Sequence, residues 1–337
     1  DIIRTGISAQ GGFNAELSYD VTAFEKAFKG LLGTSTDLGT PPSRLGPGQI
    51  DATATSNQFQ TDNTSTGIDF ATFSVGDWVK TEGFSNEANN GFFQITAIDT
   101  STASAQTITV EGASLVDETG SGDEDIRGSS VIRNGVTDTT FSLAKQFNDL
   151  SLEARVLGYR FGSATVTLNP QSIVTMQFSG QGQRLTDAAA NAIMNTTAGI
   201  GELIVNRADP FAVTVESMSL NPQSNLRQQN ALTQGIGPAG IAAGTFNLSG
   251  NLSAYFEDKT LLQEHLLYND LDVAVVVKDG QGAAYLFDVP AARPGGNNGT
   301  PSAGGQNNDL LTQFDLGGHR TTRNGLDYTF AVAKFAA

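Results

Sequence analysis

Two stretches of this chain, more than two hundred residues apart, follow one plan. In GGFNAELSYDVTAFEKAFKGLLG (Gly11–Gly33), Phe13, Ala15, Leu17 and Tyr19 alternate with Asn14, Glu16, Ser18 and Asp20. That period of two predicts a half-buried strand. Asp20 then stands where a helix cap belongs. Phe24, Phe28, Leu31 and Leu32 fall on one helical face, and Gly33 supplies the stop. In GTFNLSGNLSAYFEDKTLLQEHLL (Gly244–Leu267), Phe246, Leu248 and Leu252 alternate with Asn247, Ser249, Asn251 and Ser253. Asp258 is the cap there, followed by Leu261, Leu262 and Leu266. The likeness continues beyond each helix. TTFSLAKQF (Thr139–Phe147) matches AAYLFDVPA (Ala283–Ala291) in kind, and SIVTMQFSGQGQR (Ser172–Arg184) matches NDLLTQFDLGGHR (Asn308–Arg320). Each copy therefore reads strand, helix, strands, closing strand.

The pentapeptide LNPQS also occurs twice, at Leu168–Ser172 and Leu220–Ser224, but not at equivalent places. The first precedes a closing strand; the second follows the opening strand of copy two, FAVTVESMSLNPQS. Asn-Pro predicts a turn at both.

Between the helix and the later strands of copy one lies a segment of different character. Residues 46–128 hold thirteen acids against Lys80 and Arg127, most of the net charge of −16. Breaker-rich stretches bound the segment, and inside it short apolar runs end at Gly, Asn or Asp. Four or five strands closing into a small SH3-like barrel fit this pattern, with Trp78, Phe92 and Ile95 in its core. Its exit, DETGSGDEDIRG, lacks the ligand spacing of a calcium loop and reads as a solvated linker. The fold class is thus all-β: a β-sandwich or barrel domain, duplicated, with short flanking helices, plus an inserted small β-barrel. The organisation is 1–45 and 129–184 for copy one, 46–128 for the insert, 185–210 for a linker and 211–337 for copy two.

No chemical site emerges. The absence of cysteine excludes disulfides and thiolate chemistry. GIGPAG (Gly235–Gly240) fits a dinucleotide fingerprint by letter, but Pro238 and the lack of a following helix contradict it. His265 and His319 stand in no ligand pattern, and Asp123 and Asp125 read as solvated charge. Neither a catalytic residue, a metal nor a cofactor is expected.

The strand-helix Gly11–Gly33, the run VIRNGVTDTTFSLAKQFND, ATVTLNPQSIVTMQFSGQGQ, and the stretch from LNPQSNLRQQN through LLQEHLL together resemble the tail tube (major tail) protein of long-tailed, non-contractile bacteriophages, the siphophages. The resemblance covers the chain outside the insert. It implies a self-assembling virion protein whose rings stack into a hollow conduit for DNA ejection, made in the host cytoplasm, without enzymatic activity or a membrane anchor. Its partners would be further copies of itself and other tail proteins (tape measure, tail tip, terminator). DNA would pass through without specific binding. Small inserted domains decorate the exterior in this family, so the insert is expected outside and dispensable for assembly. Family members carry a further segment before the position of Ile7, which predicts residues upstream of Asp1. The loops Gly33–Gln49, Arg227–Gly244 and Gly295–Asn308 are expected to order when rings stack.

A conduit for DNA needs a wall without cations that hold phosphate. Candidate wall residues are Asn14, Glu16, Ser18 and Asp20 in one copy and Asn247, Ser249, Asn251 and Ser253 in the other. Closing strands add Thr175, Gln177, Ser179, Gln313 and Asp315. An ordinary solvent-facing sheet remains the alternative for any one strand. Two other classes stay open. A secreted or surface β-sandwich binding module, for glycan or receptor, would need exposed aromatics in a groove. A β-sandwich hydrolase would need a convergent acid pair. Three chains per ring, each supplying two tube domains, is the expected stoichiometry; six chains is the alternative.

Overall fold

The computed structural model describes residues 9–19, 22–42, 45–112, 115–147, 152–169, 172–189, 200–205, 215–230, 238–256, 260–295 and 309–337. Strands dominate. β1 (Ala9–Glu16) is followed by β2 (Asp51–Thr53), β3 (Gln58–Thr61), β4 (Trp78–Glu82), β5 (Gly91–Asp99), β6 (Gln106–Val110) and β7 (Asp125–Gly128). Then come β8 (Ser130–Arg133), β9 (Phe141–Phe147), β10 (Leu152–Leu168), β11 (Thr175–Gly182), β12 (Arg184–Ala189), β13 (Ile200–Val205) and β14 (Val215–Gln223). The chain continues through β15 (Arg227–Gln229), β16 (Gly240–Ala242), β17 (Asn247–Tyr255), β18 (Leu271–Lys278), β19 (Ala284–Gly295) and β20 (Leu311–Gly318). The last three are β21 (Thr321–Arg323), β22 (Leu326–Tyr328) and β23 (Ala331–Phe335). The helices are α1 (Thr22–Leu32), α2 (Asn63–Thr66) and α3 (Thr260–Leu267).

One thirteen-stranded sheet runs β1-β11-β10-β14-β17-β20-β19-β18-β13. Its pairing repeats. β1 pairs antiparallel with β11, placing Phe13 opposite Phe178; β17 pairs antiparallel with β20, placing Leu252 opposite Phe314. The long strands β10 and β19 each pair with that closing strand along their second half. Along its first half, β10 lies between β9 and β12, and β19 lies between β18 and β23. The first set is therefore β1, α1, β9, β10, β11, β12 and the second β17, α3, β18, β19, β20, β23. Ala283–Ala291 belongs to β19, whose counterpart is β10, so its likeness to Thr139–Phe147 in β9 is one of composition and not of position. Pairing partners, not residue character, fix equivalence.

β14 joins the sets, bonding to β10 on one side and β17 on the other. It carries the second LNPQS as far as Gln223, where a turn was expected. The ladder to β17 runs through Asn221 and Pro222, opposite Ser249 and Leu248. The ladder to β10 skips them, resuming at Ser163–Gln223 after Val166–Leu220. A residue without an N–H fits such a gap.

The main core lies on one face of this sheet. α1 buries Phe24, Ala27, Phe28, Leu31 and Leu32, the i, i+3, i+4 spacing of an amphipathic helix, and Gly33 ends it at φ +61°. Phe28 packs on Phe178 of the first set (5.4 Å) and on Tyr285 and Phe287 of the second (6.1 and 5.8 Å). Glu25 is paired with Lys334 of β23 (2.5 Å). α1 thus seals the two sets together. Tyr159 donates to the Gly11 carbonyl (2.6 Å), and burial pushes its hydroxyl up to about 12, so it stays a donor. The proposed caps Asp20 and Asp258 lie outside the described residues.

Residues 46–128 form a second sheet, β2-β3-β6-β5-β4-β7, six strands rather than four or five. Its core includes Ile50, Phe59, Phe70, Val79, Ile95, Ile108 and Ile126. Ile95 is where the sequence puts it; Trp78 and Phe92 are not. They face outward and close a separate apolar cluster with Ala274, Val276, Ala284, Leu286, Ala333 and Phe335 of the second set. Phe92 meets Phe335 edge-on at 4.9 Å. Trp78 Nε1 donates to Asp288 Oδ2 (3.2 Å), which also accepts from Tyr328 (2.7 Å). β4 is buried on both faces, Val79 inward and Trp78 toward β19. The acidic exit is likewise structural. Glu124 and Asp125 are buried, and Glu124 accepts N–H bonds from Ser121 (2.7 Å) and Gly122 (2.9 Å). Burial opposes its charge, but these donors outweigh it and hold the carboxyl below its usual range.

Arg323 of β21 fastens the insert, bonding Glu111 (2.7 Å) and Asp272 of β18 (2.6 Å). Arg323→Met should lower stability by roughly 3 kcal/mol, because it removes the buried cation that bridges half-buried Glu111 and buried Asp272. Chemical denaturation checks this, and an unchanged midpoint would mean that the bridge contributes nothing net.

Candidate functional site

On the face opposite the main core, polar positions line up across strands. Glu16 is opposite Thr175, Thr175 opposite Thr167, and Thr167 opposite Ser219. Ser219 is opposite Asn251, and Asn251 opposite Asp315. A second row runs Gly12, Ser179, Ser163, Gln223, Asn247. The first row crosses from β1 to β20 without a break; the second runs from β1 to β17. Some members bond directly: Ser163 to Ser179 (2.7 Å) and Asn251 Nδ2 to Asp315 Oδ1 (3.1 Å). Alternate positions of the same strands, among them Met176, Phe178, Leu248, Leu252, Phe314 and Leu316, are buried. Period-two alternation on a one-sided sheet produces this division.

Asn14, Glu16, Thr175, Gln177, Ser179, Asn247, Ser249, Asn251, Gln313 and Asp315 are all exposed on this face. Ser18 and Ser253 are buried and do not belong to the exposed surface. Ser18 lies beyond the end of β1, where alternation has stopped. Ser253 sits beneath Glu216, to which its hydroxyl donates at 2.7 Å. Asp20 lies outside the described residues. The sequence reading missed Ser163, Thr165 and Thr167 of β10 and Ser219 and Asn221 of β14. The alternations ATVTL and VESMSLN carry that signal.

The charge of the face is lopsided. No Lys or Arg occurs in β1, β11, β14, β17, β20 or the second half of β10. Of the arginines that border it, Arg184 and Arg227 are exposed, and two others are engaged. Arg160 is buried against Asp138 and the Ile241 carbonyl. Arg293 bonds Asp270 (2.9 Å), which also contacts His319 (3.0 Å). At the end nearest the first set, Gln10, Asn14, Gln177, Gln181, Gln223 and Asn225 line a hollow of about 720 Å³. Hydroxyls and amides cover it, and they can hydrate a passing polyanion but not neutralise it.

The family model described as phage tail tube protein matches residues 1–317. The chain belongs to the phage tail tube protein family. No curated protein matches it. The family match accounts for a structural role in the virion tail, with self-assembly and other tail proteins as partners in general terms. It spans the first strand set, the insert and the second set as far as β20, and stops before β23. Among the described residues, no helix is long and apolar enough to cross a membrane.

Proposed function

We propose that three copies of this tail tube protein close a ring with pseudo-sixfold symmetry, and that such rings stack into the conduit through which DNA leaves. The observation that carries this is the unbroken passage of the polar row Glu16, Thr175, Thr167, Ser219, Asn251, Asp315 from β1 to β20. One chain supplies two successive wall modules, the set from β1 to β12 without the insert and the set from β17 to β23, joined by the β14 seam; the stretch 185–210, expected as a linker, holds strand residues that pair with β10 and with β18. Among the described residues β1 pairs only with β11, so its outer edge is open to the next chain. Closing a sheet into a ring leaves no edge strand exposed, and closed cyclic symmetry is the usual outcome of head-to-tail contacts. The polar face turns inward, where the absence of Lys and Arg from β1, β11, β14, β17 and β20 lets the polymer slide.

The insert 46–128 sits outside. The chain leaves for it after α1 and returns at β8, both on the side away from the polar face. Thirteen acids per copy would line a lumen with strongly repelling charge but are easily solvated on the exterior. The tape measure, tail tip and terminator proteins would meet the lumen and the tube ends. End-on cryo-electron microscopy of assembled tubes tests the stoichiometry. Six wall modules with three insert densities per ring are expected; six insert densities would overturn it.

A further inference from the structure

The two helices of the repeat have unequal surroundings. Counted from the threonines that open them, Phe28 of α1 and Leu266 of α3 occupy the same place. Phe28 is fully buried, because α1 reaches beyond its own set to Tyr285, Phe287 and Lys334 in the β18–β19–β23 sheet of the other. No such cover of α3 is seen among the described residues. Its side-chain contacts there run to its own set, through His265 on Phe314 (5.5 Å) and on the Pro294 carbonyl (3.1 Å). Leu261 alone of its residues is buried, whereas Leu266, Leu267 and Tyr268 are 64, 67 and 73 % exposed. Three consecutive large apolar side chains in water are the mark of an unoccupied contact.

The matching acceptor is also in the chain. β9–β10–β12 is the counterpart of β18–β19–β23, yet among the described residues no second-set helix packs extensively on it. On β12, Leu185 stands opposite Val156 and is 58 % exposed; Leu143 of β9 stands opposite Val156 from the other side. We infer that α3 docks on the β9–β10–β12 sheet of the next copy of this chain, repeating between chains the contact that α1 makes within one. Helix contacts would then alternate, one inside each chain and one between chains. The contact is head-to-tail, so it propagates until the ring closes. This rests on the ring reading above, but names the surface that builds the ring.

The absence of cysteine makes a direct test possible. Chains carrying Leu266→Cys and chains carrying Leu185→Cys are mixed, assembled into tubes and treated with a short bis-maleimide. The expected product is a covalent pair joining one chain of each kind, absent when either variant is used alone. Tubes that form normally but give no such pair would overturn the docking and leave the ring reading standing. The same holds if the double variant gives only a link within one chain. As a second measure, Leu266→Asp with Leu267→Asp should leave monomer melting close to wild type and abolish assembly. Wild-type tube formation by that variant would also overturn it.

Discussion

Deletion of residues 46–128 is expected to lower solubility and promote aggregation, although the acidic, breaker-bounded segment invites removal. The insert is docked through Trp78 and Phe92, and without it Ala274, Val276, Leu286 and Phe335 become an open apolar patch on β18, β19 and β23. Large aromatic side chains contribute about 3–5 kcal/mol each when their packing is lost, and a patch of this kind on a sheet face promotes association. Polar groups are stranded as well. Asp288 loses the indole donor at 3.2 Å, and Arg323 keeps Asp272 but loses Glu111. The soluble fraction after expression, followed by microscopy for tubes, measures the effect. Adding Val276→Thr, Leu286→Thr and Phe335→Thr to the deletion should restore solubility by removing the patch. Full solubility and normal tubes from the plain deletion would show that docking contributes little to the wall.

How far the sequence reveals this molecule depends on whether a residue's environment comes from its own strand or from elsewhere. Period-two alternation exposes β1, β11, β17 and β20, because one face meets the core and the other water. It fails at Ser253, whose exposure is removed by Glu216 on the neighbouring strand. It fails again at Trp78. In WVK both faces of β4 are buried, and nothing local says that the indole belongs to Asp288, two hundred and ten residues away. Pro222 reads as a break because its missing N–H is visible in sequence, whereas the gap in the β10 ladder that accommodates it is not. α3 is the opposite case. Its leucines are legible as an apolar helix face, but among the described residues nothing covers Leu266 and Leu267.

Placing a lysine at Gln177 should leave tubes intact and slow DNA release, and placing one at Gln313 should do the same to the same degree. Both side chains are exposed on the polar face, each next to the phenylalanine that pairs with the opening strand of its set, Phe178 and Phe314. If the sets are successive wall modules, the two lysines stand at one radius and meet the same phosphates. Each phosphate contact adds about 0.9 to the salt slope of binding to duplex DNA. Stacked rings multiply the contacts, so a reduction of release rate of about tenfold or more at low salt is a conservative expectation from the same relation. Raising the salt should restore the rate, since screening and counterion competition weaken phosphate contacts first. Ser101→Lys, on the exposed surface of the insert, adds the same charge away from the wall and should change neither rate nor salt dependence. Release from triggered virions, followed by dye binding to free DNA across a salt series, gives all three curves. A slow Gln177→Lys beside an unaffected Gln313→Lys would mean that only the first set faces the lumen, which favours six chains per ring with the second set displaced outward. Unchanged release in both would remove the polar face from the lumen altogether.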